Sequence, residues 1–77
     1  MWFEEIKELL MAEDEQFRRI AAEHRRLDKE LADLSSRKYL SPEDQRLEAE
    51  LKKKKLAAKD RMLRMAEEYR KAHEGGK

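Results

Sequence analysis

A chain of 77 residues with 48 % charged side chains has room for one domain at most. Its formal net charge of +1 gives the whole molecule no strong field for steering towards nucleic acid. The absence of cysteine excludes disulfides and thiolate chemistry. Only two glycines and one proline are present, a composition of long amphipathic helices and not of a sheet.

The opening stretch, MWFEEIKELLM, is too acidic and too interrupted for a signal peptide. No apolar run approaches the roughly 20 residues that cross a bilayer. A cytoplasmic protein without membrane insertion is the expectation. Residues 2–36 read as one helix. Its seam runs through Phe17, Ile20, Leu27, Leu31 and Leu34 in steps of three and four, with His24 filling the gap. That is the period of a helix laid against another helix. Phe3, Ile6 and Leu10 extend the seam upstream, and only Glu13 and His24 break it. Glu4, Glu5 and Glu8 oppose the positive end of the helix dipole. Trp2, Leu9 and Met11 widen the apolar face. Trp2, Phe3, Ile6, Leu9 and Leu10 are therefore candidates for contact with a partner.

Residues 37–41 form the connection. Ser41-Pro42-Glu43-Asp44 follows with an N-cap hydroxyl, a proline suited to the first helical position, and Asp44 where a capping box places Glu. The second helix spans 42–73, and residues 74–77 are a frayed tail with Gly75 as a cap. The second seam is Leu47, Leu51, Lys55, Ala58, Met62, Met65, Tyr69 and Ala72; Leu56, Leu63 and Ala66 form a flanking stripe. A face this broad suits a helix with more than one neighbour.

A short connection makes the two helices antiparallel. With the turn centred on Lys38–Tyr39, Leu31 faces Leu47, Leu27 faces Leu51, Ile20 faces Ala58, Phe17 faces Met62 and Ile6 faces Ala72. The expected architecture is an all-α, two-helix antiparallel hairpin. One core in a chain this small supplies about 3–5 kcal/mol. Further burial is expected in a homo-oligomer, most simply a dimeric four-helix arrangement, or on a larger assembly.

Three polar groups stand out. His24 lies at the level of Lys54 and Lys55, one turn from Asp28. It reads as a polar layer that sets register, with a pH-sensitive layer as the sharper reading and metal binding the least supported, since His73 is the only other histidine. Lys52, Lys53, Lys54 and Lys55 point all round a helix. From Lys52 to Arg64 there are seven basic residues, Lys59, Arg61 and Arg64 included, against the single acid Asp60. The first sixteen residues carry six acids and one lysine, a complementarity that can orient an oligomer. Nucleic-acid binding through Lys52, Lys53, Lys54, Lys59, Arg61 and Arg64 is the alternative, though stacking aromatics are missing from the segment. Asp60 is expected to pair with Arg18 or Arg19. No nucleophile with a base, metal set or phosphate loop is legible; a non-enzyme without cofactor is expected.

Phe17-x-x-Ile20-x-x-Glu23-His24-x-x-Leu27-Asp28-x-x-Leu31, followed by Leu51-Lys52-Lys53-Lys54-Lys55-Leu56-Ala57-Ala58-Lys59-Asp60, resembles the YdcH-like family of small bacterial helical-hairpin proteins, whose function is unassigned. The likeness covers roughly residues 15–67. It implies an antiparallel hairpin that associates further, in the cytoplasm, and it carries over no catalytic residue. The functional expectation is a small structural or interaction protein that works through helix faces.

Overall fold

A computed structural model describes residues Trp2–Glu74, so the expected Gly75 cap lies outside the described residues. Three helices follow in order: α1 (Trp2–Glu13), α2 (Glu15–Ser35) and α3 (Pro42–Glu74). No strand occurs among the described residues. The molecule measures 54 × 21 × 18 Å. The long dimension is that of α3 alone, whose 33 residues at about 1.5 Å each span ~50 Å.

The all-helical expectation holds, but the single rod over 2–36 does not. Asp14 interrupts it with extended backbone angles, φ −116° and ψ 113°. This one residue closes α1 and starts α2. Its N–H donates to the Leu10 carbonyl at 2.8 Å, and its carboxylate Oδ1 accepts the Phe17 N–H at 3.0 Å. The Arg18 guanidinium reaches back and donates to the carbonyls of Met11 (3.0 Å) and Ala12 (3.3 Å). Carbonyls at a helix end lack intrahelical donors, and a cation there also suits the helix dipole. The seam defect at Glu13 marks the place: an apolar residue one step before the break would have no core to enter.

Beyond Asp14 the chain changes direction. A straight rod over 2–36 would carry Trp2 past the level of Arg70. Instead the Arg70 guanidinium lies over the Trp2 ring, 4.5 Å from its centroid. Ile6 and Leu10 are thereby buried with Phe17, Ile20, Ala21, Ala58, Met62 and Ala66. Ala72, the expected partner of Ile6, is exposed.

α2 lies antiparallel along α3. Ser35 Oγ donates to Glu48 at 3.4 Å near one end, Lys55 meets Asp28 at 2.6 Å in the middle, and Phe17 shares a core with Met62 near the other. Of the expected facing pairs, Phe17 and Met62, and Ile20 and Ala58, share one core cluster, and Leu27 and Leu51 share the other. The polar contacts reach further along α3: Ser35 meets Glu48 and Asp28 meets Lys55. Phe17 and Ala66 are both completely buried in the first cluster. Ala66 thus belongs to the core and not to the outer stripe. Leu47 moves the opposite way and is half out of the seam.

A second cluster, Leu27, Leu31, Leu34 and Leu51 with Leu40 against it, closes the turn end. Ser36 caps α2, its N–H donating to the Ala32 carbonyl at 3.1 Å. The expected capping box is present at the start of α3. Asp44 N–H donates to Ser41 Oγ at 3.0 Å, and Ser41 N–H donates to Asp44 Oδ2 at 3.3 Å. Arg37 pairs with the other Asp44 oxygen at 3.2 Å, tying the connection to the helix it precedes.

Candidate functional site

The seam residues are spent on the core. Phe17, Ile20, Leu27, Leu31, Leu34, Leu51, Ala58 and Met62 are buried, and Met65 and Tyr69 pack against the same core half-buried. The expected partner-binding set at the N-terminus is largely spent too. Ile6 and Leu10 are buried, while Trp2 and Phe3 meet edge to face, 6.0 Å between centroids, and lie against the core. Only Leu9 of that set stands clear, 44 % exposed.

Exposed large apolar side chains also stand at Tyr39 in the connection and at Leu47, Leu56 and Leu63 on α3. Leu56 is 64 % exposed and Leu63 39 %. Seven residues apart, they sit within about 20° of each other on the helix, turned away from α2. A shallow groove runs between them, lined by Leu56, Ala57, Lys59, Asp60 and Leu63. Lys52 and Lys59 border the stripe on one side; Asp60 and Glu67 border it on the other. Leu56 and Leu63 together give this groove an apolar edge.

The charged groups are distributed differently from expectation. Asp60 pairs with Arg64 on its own helix, 2.8 Å away, not with Arg18 or Arg19. Arg18 is occupied with the end of α1, and Arg19 with Glu15 at 3.2 Å. Of the basic segment, Lys55 and Arg64 are engaged in ion pairs. Lys52, Lys53, Lys54, Lys59 and Arg61 are exposed, and the first three point in different directions, as consecutive helical residues must.

His24 is half-buried between the two core clusters, and its Nε2 is buried without a hydrogen-bond partner among the described residues. Its helical neighbour Asp28 turns to Lys55 instead. The hydrogen bond and the charge of that ammonium hold the Asp28 carboxyl below the usual carboxylate range, against partial desolvation and with a smaller contribution from His24. Among the described residues no group of three or more His, Cys, Asp or Glu could hold a metal ion. None of the described helices is long and apolar enough to cross a membrane.

These features describe a small all-helical protein whose exposed apolar side chains include Leu56 and Leu63 on one face of α3. A family described as "Protein of unknown function (DUF465)" matches residues 17–66, and the chain belongs to it. The match spans α2, the connection and the first three-quarters of α3; α1 lies outside it. No curated protein and no solved structure matches the chain.

Proposed function

We propose that this protein is a non-catalytic helical interaction module that acts by self-association, through the outer face of α3. The carrying observation is the exposure of Leu56 and Leu63 in register on that face, after the other large apolar residues of α3 except Leu47 have gone into or against the core. Burying a leucine is worth about 1.5–3 kcal/mol, a large fraction of what a chain this size gains from its own core. The likeness of residues 15–67 to the YdcH-like hairpins supports the same reading: a small cytoplasmic bacterial protein that associates through helix faces. Insertion of Trp2, Phe3, Leu9 and Leu10 into a larger assembly has less support, because Leu10 is buried and Trp2 and Phe3 pack against the core of their own chain, leaving Leu9 exposed.

Sedimentation equilibrium across the micromolar range tests this reading. Self-association is expected, with the oligomer a dimer. A folded monomer at every concentration refutes it. The alternative is a nucleic-acid-associated accessory protein using the exposed Lys52, Lys53, Lys54, Lys59 and Arg61. It predicts binding that weakens steeply with salt and that fails when Lys52, Lys53 and Lys54 are replaced by alanine.

A further inference from the structure

Two exposed patches of this chain carry opposite charges around leucines. On α1, Leu9 is exposed, and Glu5, Glu8 and Ala12 are exposed beside it. Residues three and four apart are neighbours on a helix, so these four side chains form one patch. Ile6 and Leu10 hold the opposite side of α1 in the core, which turns the patch away from its own hairpin. On α3, Leu56 and Leu63 line the groove with Ala57, Lys59 and Asp60, and Lys52 lies one turn before Leu56. Glu5, Glu8, Lys52 and Lys59 take part in no ion pair among the described residues. We propose that the groove on α3 receives α1 of a second copy. Leu9 enters between Leu56 and Leu63, and Glu5 and Glu8 meet Lys52 and Lys59. This rests on self-association as the function and names the element that covers the face.

The charges name the occupant. A second α3 does not fit. Laid antiparallel across a two-fold axis, its lysine edge would face the lysine edge of the first, and Asp60 is already held by Arg64 at 2.8 Å. The acidic element of this chain is α1, whose Glu4, Glu5 and Glu8 are all exposed. The spacing agrees with the charges. On α1 a leucine stands one turn after a glutamate (Glu5, Leu9); on α3 each leucine stands one turn after a lysine (Lys52, Leu56 and Lys59, Leu63). Lys52 and Lys59 lie about 10 Å apart along α3, and their flexible stems can pack on the leucines while the ammonium groups reach the carboxylates. Opposite charges across the contact select the partner and its orientation, and burial of the leucines supplies the adhesion. Each copy carries one α1 patch and one α3 groove, so two copies related by a two-fold axis satisfy both contacts and leave neither open.

Charge reversal tests this pairing. Glu5→Lys/Glu8→Lys protein and Lys52→Glu/Lys59→Glu protein each set like charges across the contact. All four positions are exposed, so circular dichroism should report an unchanged helical fold. In sedimentation equilibrium each variant alone is expected to dimerise more weakly than the parent by about tenfold or more. An equimolar mixture is expected to recover the parent strength. In the mixed dimer the new lysines of one α1 meet the new glutamates of the other α3, and the second contact is the native one. Leu9→Gln, which changes no charge, is expected to weaken the dimer as well. Any of the three variants dimerising as tightly as the parent, or reversed variants that fail to recover on mixing, overturns α1 as the occupant and leaves self-association standing. A parent protein that is monomeric at all concentrations overturns both.

Discussion

Replacing Asp14 by alanine tests whether the break between α1 and α2 is held by local capping alone or also by the core. The substitution removes the carboxylate that accepts the Phe17 N–H at 3.0 Å. Loss of such a cap costs about 1 kcal/mol, within a range of roughly 0.5–2. Alanine is also the best helix former, so the break could heal into one rod. Healing would gain less than about 1 kcal/mol of propensity. It would also pull Ile6 and Leu10 out of a core where both are buried, at about 1.5–3 kcal/mol each. The core term wins, and Arg18 still caps the carbonyls of Met11 and Ala12. The variant should therefore keep the break and lose about 1 kcal/mol, a fall of about 4–8 °C in Tm for a chain of this size. Thermal unfolding followed by far-ultraviolet circular dichroism measures the loss, and the emission of the single tryptophan, Trp2, reports whether α1 has left the core. Higher helical content and a higher Tm, with Trp2 emission moved to the red, would refute the reasoning.

Phe17→Ala should be far more damaging. The ring is completely buried, and truncations of this kind cost about 3–5 kcal/mol, enough to leave much of the protein unfolded at ambient temperature by urea titration. His24→Leu should raise stability by about 1 kcal/mol, because an unpartnered buried nitrogen is exchanged for an apolar group; a loss on chemical denaturation would show that the imidazole is satisfied in solution. Acid titration probes the Asp28–Lys55 pair. The folded-state pKa of Asp28 is depressed, so its stabilising contribution is complete above the unfolded-state pKa and is lost as pH falls through the folded one. Asp28→Asn should therefore flatten the acid limb of the stability curve below about pH 4 and leave the neutral-to-alkaline limb parallel to that of the parent.

The local signals were legible wherever the cause is local. The Ser41–Asp44 box, the proline start of α3 and the three-and-four spacing of Phe17 to Leu34 depend on neighbours within one or two turns, and each stands where the residues place it. The break at Asp14 was half legible: Glu13 marked a defect in the seam, and an aspartate capping residue followed it. Helix-favouring neighbours on both sides masked the break, and only the burial of Ile6 and Leu10 against Met62 and Ala66 decides for it.

Sequence by itself determined that the chain is helical, where α3 begins, and which residues have the spacing to be a core. Tertiary structure decided which members of each face are covered. It buried Ala66 in the core with Phe17, left Leu47 half exposed, gave Asp60 to Arg64, and left Leu56 and Leu63 facing solvent. Periodicity defines a face but not its height along a neighbouring helix. That height is set by where large side chains find small ones, a property of two surfaces in contact that neither stretch of residues carries alone.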